Sequence, residues 1–162
     1  MTSVKNELVG SWKLLSYIEL PIDGSDSLFP VGKNPEGILM YSPDGFMSVQ
    51  IMAQDRPPLV SGDRFAATQE ESLAVINTFI AFSGAYQILE NRVVSYQIKT
   101  SLFPNWAGQT QERIFDFEGD VLYLKSTEPI LSNGVMVNSY MTWQKHKKAQ
   151  YKEAQLERQT DY

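Results

Sequence analysis

Short runs of alternating apolar and polar residues, separated by turn residues, dominate this chain. Eight such runs predict strands at 10–20, 37–42, 45–52, 84–90, 92–102, 109–118, 120–127 and 135–145. Several of the links between them are tight and contain Pro, Asp, Asn or Gly, which supply turn geometry. Antiparallel strands joined by hairpins can close on themselves and remove exposed sheet edges. The pattern therefore predicts an all-β protein, an eight-stranded antiparallel β-barrel.

One helix is predicted to interrupt the strands, over residues 68–83. The stretch 68–71 is a capping box, apolar residues then recur at helical spacing, and Gly84 is expected to end the helix. We expect this capping helix to lie across one mouth of the barrel. Two roles stay open: it plugs that end, or the edge formed by Phe79 and Phe82 lines a ligand cavity.

The chain is predicted to contain one barrel domain, residues 1–147, followed by a polar tail, residues 148–162. The tail is rich in Lys, Gln, Glu and Ala and has no sustained apolar stripe, so it is expected to be helical or disordered. Deleting it is expected to change the melting temperature little.

Cysteine is absent and His146 is the one histidine, which excludes disulfides, thiolate zinc sites and multi-histidine metal sites. Residues 1–144 hold nine basic and 16 acidic residues, and the last 18 hold five basic and three acidic. An acidic body repels phosphate backbones, so no nucleic-acid partner is expected. No apolar run is long enough to span a membrane, and no secretory signal is visible. A cytoplasmic protein without a cofactor is expected.

Side chains alternate along a strand, so the apolar phase of each strand predicts its inner face. In the first strand this phase contains Trp12, Leu14, Ile18 and Leu20. Three other strands carry polar side chains in that phase. They are Gln50 beside Phe46 and Met52, Tyr96 beside Val94 and Ile98, and Gln111 and Arg113 beside Phe115 and Phe117. A few polar groups on an apolar wall are typical of a small-molecule pocket, although Tyr96 alone also fits an ordinary core tyrosine.

The candidate ligand-binding residues are Gln50, Met52, Arg56, Phe82, Tyr86, Tyr96, Phe103, Trp106, Gln111 and Arg113. A buried guanidinium is costly unless it is paired or hydrated, so Arg113 is expected to reach Tyr96, Gln50 or a bound anion or water. Alternatively, Arg113 pairs with a core carboxylate, or lies near the barrel rim with its guanidinium in water. Likewise, Arg56 either stabilises its loop or gates the mouth.

Several motifs resemble those of the stand-alone lipocalin-like domain family of bacteria and fungi. They are Gly10-Ser11-Trp12, the stretch 41–48, Asp55-Arg56-Pro57 with 61–63, the stretch 82–86, and 101–106 followed by Gly108, Gln111 and Arg113. The resemblance covers roughly residues 7–145 and implies a calycin-type barrel with a lumen, but no agreed reaction. Many members carry histidine in the strand before the fifth motif. This chain has none there, which argues against a histidine acid or base.

The sequence is compatible with three functions. The first is a small-molecule binding protein that holds a largely apolar or aromatic ligand, acidic or neutral, with Arg113, Gln111 and Tyr96 at its polar end. The second is an isomerase, cyclase or hydratase in which Tyr96 or Arg113 stabilises negative charge. The third is a filled barrel that acts only in protein contacts. No clear acid or base is predicted on the inner faces, which favours binding over catalysis, and a homodimer stays open.

Overall fold

The computed structural model describes residues 3–150. Its helices are α1 (Val4–Leu8) and α2 (Gln69–Asn77), with a short 3₁₀ turn at Pro104–Trp106. Its strands are β1 (Gly10–Pro21), β2 (Glu36–Tyr41), β3 (Phe46–Met52), β4 (Phe79–Leu89), β5 (Val93–Ser101), β6 (Thr110–Glu118), β7 (Val121–Ser126), β8 (Ile130–Ser132) and β9 (Val135–Lys145). No helix among these residues is long and apolar enough to cross a membrane.

Eight strands close into an antiparallel barrel. Each of β1 to β6 pairs with the strand that follows it, β7 pairs with β9, and β9 pairs back with β1. The short strand β8 is an addition that pairs with the start of β9. The predicted all-β barrel is confirmed, and each of its eight strands coincides with a predicted one, although β4 is longer than expected. Residues 148–150 carry no helix or strand, and the rest of the predicted tail lies outside the described residues.

The two ends of the barrel differ in how their strands are connected. At the closed end the strands are joined by tight hairpins at 42–45, 90–92 and 119–120. At the open end the connections are long, at 22–35, 53–78, 102–109 and 127–134. Long loops on a rigid scaffold are where binding groups concentrate. The long loops therefore favour the open end as the route by which a ligand would enter the barrel.

The predicted helix is correct at its start and wrong at its end. The capping box between Thr68 and Glu71 is present, but α2 ends at Asn77. Residues 79–83 instead extend β4, where they pair with β3 along its length. Aromatic and β-branched side chains favour a strand there once a partner strand is available. The apolar residues whose spacing suggested one helix are therefore divided between α2 and β4.

Helix α2 also does not plug the barrel, because none of its residues is buried. Its apolar side chains Leu73 and Ile76 are 62% and 60% exposed. Arg56 holds the C-terminal end of α2, with Nε donating to the Thr78 hydroxyl at 3.0 Å. The guanidinium of Arg56 also lies 5.0 Å from the centre of the Phe79 ring. Among residues 3–150 Arg56 makes no ion pair, so its loop is tied to the helix end and not to Asp55.

A β-bulge at positions 14–16 changes which residues of β1 face inward. One extra residue in a strand inverts the phase of every side chain beyond it. Tyr17 and Glu19 are buried in consequence, whereas Ile18 is half-buried and Leu20 is 38% exposed. The prediction that Ile18 and Leu20 face the interior was therefore wrong.

Candidate functional site

A cavity of about 20 Å³ lies inside the barrel. Its lining is mostly apolar and consists of Leu39, Met47, Val49, Ile51, Phe82, Tyr96, Arg113, Leu124, Met141 and Trp143. This volume holds about one water molecule. The side chains of the barrel itself thus fill nearly all of the interior in this conformation.

Arg113 is the one charged residue among the side chains that line this cavity. It projects from β6, on the same face as Phe115 and Phe117. Its Nη2 donates to the Gln111 side-chain oxygen at 3.0 Å, and its Nη1 donates to the Glu112 backbone carbonyl at 2.9 Å. Within the described residues no carboxylate lies within salt-bridge distance of this guanidinium. Its charge is therefore hydrogen-bonded but not neutralised.

Three buried tyrosines share the interior with Arg113. The hydroxyls of Tyr41 and Tyr96 are hydrogen-bonded to each other. Burial raises the pKa of Tyr17, Tyr41 and Tyr96, and the positive charge of Arg113 opposes that shift in all three. The phenols are neutral at pH 7 and act as hydrogen-bonding groups. Arg113 makes no hydrogen bond to Tyr96 or Gln50, so the prediction was wrong for these two partners.

A series of aromatic rings leads from the cavity wall to the surface of the open end. Phe82 lines the cavity, and its ring lies 5.7 Å from that of Trp106 in an edge-to-face arrangement. Trp106 contacts Phe103 in the same way at 5.3 Å. Phe103 is 47% exposed. Trp106 thus packs on β4 and Phe103 packs on Trp106, whereas α2 contributes no buried side chain.

Glu19 is a buried acid that the alternation pattern did not reveal. Its side chain is 1% exposed and its Oε1 accepts a hydrogen bond from the Ser132 hydroxyl at 2.7 Å. Burial raises the pKa of the Glu19 carboxyl above its usual value, and the bond from Ser132 opposes the shift. The residue faces inward because of the bulge in β1, and adjacent Leu14 and Leu15 give no sign of that bulge. The interior therefore does contain a titratable acid.

Comparison with known proteins places the chain in a family. Residues 9–146 match the sequence model of the lipocalin-like domain. The chain belongs to the lipocalin-like domain family. It is 32% identical over 106 residues to the 4'-hydroxy-3'-methoxypropiophenone carrier protein of Aspergillus oryzae, an alignment that covers 61% of this chain and 96% of that one. An uncharacterized protein from Bacteroides eggerthii DSM 20697 has a similar structure, with a TM-score of 0.40, 14% identity, and coverage of 86% of this chain and 99% of that one.

Two candidate residues of this lipocalin-like barrel lie on its outer surface. Gln50 is exposed and Met52 half-buried, and both point away from the lumen together with Phe46, which is 59% exposed. The inner face of β3 carries Met47, Val49 and Ile51. The expectation that Gln50 and Met52 face inward was therefore wrong. The uninterrupted apolar phase at 47, 49 and 51 is the signal that identifies the inner face.

Five of the remaining candidates lie on strands β4, β5 and β6 of the lipocalin-like barrel. Phe82, Tyr96 and Arg113 line the cavity, and Gln111 contacts Arg113 from the same strand. Tyr86 lies at the closed end, where its hydroxyl donates to the Ser42 carbonyl at 2.8 Å and its ring packs against Tyr41. The structure thus brings four of the candidates together at the cavity, whereas Tyr86, although paired with Tyr96, does not line it.

Proposed function

We propose that the barrel binds a small, largely aromatic molecule whose carbonyl or acidic oxygen lies against Arg113. The observation that carries this proposal is the guanidinium without an acidic partner, set among aromatic and aliphatic side chains. A guanidinium offers five N–H donors, and the two hydrogen bonds described above leave donors for a ligand. A planar cationic group of this kind suits a carboxylate, an enolate or a polarised carbonyl oxygen.

The Aspergillus oryzae relative supports the same class of ligand. It is named as a carrier of 4'-hydroxy-3'-methoxypropiophenone, a compound with one aromatic ring and a ketone oxygen. Such a ligand would place its ring among Phe82, Tyr96 and the aliphatic wall and its ketone oxygen at Arg113. We infer that this chain likewise carries an aromatic compound with a polar oxygen.

Binding of a molecule this large requires the interior to open. A cavity of about 20 Å³ is far smaller than the volumes typical of ligand pockets. The rings of Phe82, Trp106 and Phe103 form a series of contacts that starts at the cavity wall and ends at the exposed Phe103. We propose that these rings move aside on binding, so that the fluorescence of Trp106 responds to the ligand.

Arg113→Met tests the role of the guanidinium. Wild type and variant are titrated with 4'-hydroxy-3'-methoxypropiophenone and with 4-hydroxy-3-methoxybenzoic acid, and binding is followed by tryptophan fluorescence and calorimetry. Loss of a charged hydrogen bond should weaken binding about tenfold or more. The variant should be at least as stable as wild type, because no partner charge is stranded.

Lys125→Met is the matched control, because Lys125 is exposed on β7 and contacts the Tyr140 ring. It removes the same charge from the outer surface and should leave both affinities unchanged. The proposal fails if wild type binds neither compound, or if the two variants bind alike. A loss of roughly 3–5 kcal/mol in the stability of Arg113→Met would instead show that the guanidinium serves to stabilise the fold.

A second candidate function is an isomerase, cyclase or hydratase that acts in the same lumen. Glu19 favours it, since a buried carboxyl with a raised pKa is a typical general acid or base. Incubation of the two compounds with the protein, followed by mass spectrometry and proton–deuterium exchange beside the ketone, tests this function. Exchange that is lost in Glu19→Gln would make the barrel an enzyme, and unchanged compounds would leave it a carrier.

A further inference from the structure

Four inward-facing polar residues form one row across four neighbouring strands of the barrel. Glu19 on β1 is paired with Ser139 on β9, and Arg113 on β6 is paired with Ser126 on β7. The two pairs are joined because the Ser139 backbone N–H donates to the Ser126 hydroxyl at 2.9 Å. A polar row, defined here as Glu19, Ser139, Ser126 and Arg113, thus crosses an otherwise apolar wall.

The polar row is buried at its acidic end. Glu19, Ser126 and Ser139 are 1%, 2% and 3% exposed. Polar groups in such positions cost stability unless they are fully hydrogen-bonded, and apolar side chains of similar size would pack there at least as well. Within residues 3–150 the carboxyl of Glu19 receives one side-chain hydrogen bond, from Ser132. Glu19 does not line the cavity described above, so a ligand would meet its remaining acceptor capacity only when the interior opens.

The two ends of the polar row lie too far apart for one functional group to reach both. Glu19 and Arg113 are separated by three strand-to-strand steps of about 4.8 Å each around a curved wall. Nor do they form an ion pair within 4.0 Å. A ligand that used both would carry two polar groups with a spacer between them.

We propose that Glu19 is a second ligand anchor and selects aromatic compounds that carry a hydroxyl group across the ring from the carbonyl or acidic oxygen at Arg113. This inference rests on the proposed function and adds the hydroxyl group to the ligand class. Glu19 accepts a hydrogen bond from that hydroxyl, and Ser132 holds the carboxyl in position from the other side. The neighbouring Tyr17 phenol is also buried, so water competes little for either group.

A pair of compounds that differ only in the hydroxyl tests the proposal. Binding of 4'-hydroxy-3'-methoxypropiophenone is compared with that of 3',4'-dimethoxypropiophenone, in which the hydroxyl is methylated. Wild type should prefer the hydroxyl compound by about fivefold, the range expected of one neutral hydrogen bond. Glu19→Met should abolish this preference by weakening the hydroxyl compound alone, and Glu19→Gln should retain it.

Three further variants separate specificity from general effects. Arg113→Met should weaken both compounds by the same factor and keep the preference. Glu36→Met, a change at an exposed position on β2, should alter nothing. Ser132→Ala removes the bond that positions Glu19 and should reduce the preference in part, which provides the test if Glu19→Met does not fold.

The possible failures are distinguishable. If wild type binds both compounds equally, or Glu19→Met keeps the preference, Glu19 is not an anchor while the proposed binding function stands. An equal loss for both compounds in Glu19→Met has the same meaning, since it shows a structural effect only. If wild type binds neither compound, the proposed function itself is overturned, and this inference with it.

Discussion

Glu19 is a single residue whose protonation is coupled to folding. In the unfolded chain its carboxyl titrates near the usual value of 4.5, and in the folded barrel burial raises its pKa. The folded state therefore holds this proton more tightly than the unfolded state does. The resulting stabilisation is complete below pH 4.5 and is lost as the pH rises through the pKa of the folded state.

Glu19→Gln should remove this dependence, because the amide does not titrate. The free energy of unfolding of wild type, relative to that of Glu19→Gln, should fall as the pH is raised above about 4.5. Urea denaturation at a series of pH values between 4 and 8 measures the difference. Asp23 and Glu71 have lowered pKa values and opposite slopes, but both proteins contain them, so their effects cancel. Parallel curves for the two proteins would show that the pKa of Glu19 does not change on folding.

At the scale of elements, the pairing of β4 with β5 depends on Gly84. A register shift separates the pairs formed by Ser83 and Gly84, and the backbone of β5 comes unusually close there. A Cβ atom on Gly84 would lie 1.9 Å from the Gln97 carbonyl oxygen. No side chain fits at this position, which explains why a glycine stands within β4. The same glycine was expected from the sequence to end the helix.

Gly84→Ala should cost at least about 3 kcal/mol, because the backbone of one strand must move away from the other. Gly24→Ala is the control, since Gly24 has a φ of +83° but nothing within 4 Å of the added methyl group. Backbone strain alone should cost roughly 1–2 kcal/mol there. Chemical denaturation gives both values. If Gly84→Ala lowered the free energy of unfolding no more than Gly24→Ala does, the close approach of the two strands would be refuted.

At the scale of the whole molecule, the two ends of the barrel differ in packing and in exposure. At the closed end Trp12 is 1% exposed and its indole N–H donates to the Leu8 carbonyl at 2.9 Å. The Lys145 ammonium lies 4.5 Å from the centre of the Trp12 ring and donates to the Glu7 carbonyl, which ties the last strand to α1. The open end has long loops and half-exposed aromatics instead. Stability should therefore concentrate at the closed end and ligand access at the open end.

A matched pair of substitutions tests this division. Trp12→Phe removes the bond to Leu8 and leaves a gap in the core, so it should cost about 2–4 kcal/mol. Trp106 is half-buried at the open end, so Trp106→Phe should lower the free energy of unfolding by only roughly 1 kcal/mol. It should instead speed ligand association. Urea denaturation and stopped-flow binding separate the two effects. Equal losses of stability in Trp12→Phe and Trp106→Phe would contradict the prediction that stability is concentrated at the closed end.

The sequence by itself determined the number and order of the barrel strands and several of the hairpins that join them. The alternation of apolar and polar residues and the preferences of turn residues act over two to four residues. They therefore predict structure wherever strands are regular and joined by hairpins. The inner face of β6 was predictable for the same reason: Arg113 and Phe115 are two residues apart with no bulge between them. The position of Arg113 at the cavity thus follows from local pattern.

Only the tertiary structure decided which side chains share the interior with Arg113. The bulge in β1 arises from pairing with β9, more than 100 residues away along the chain, and it turns Glu19 inward. The boundary between α2 and β4 depends likewise on pairing with β3, which captures Phe79 and the residues after it. Hydrogen bonds between distant strands outweigh local preference, because each residue left unpaired in a closed barrel would bury unsatisfied backbone groups.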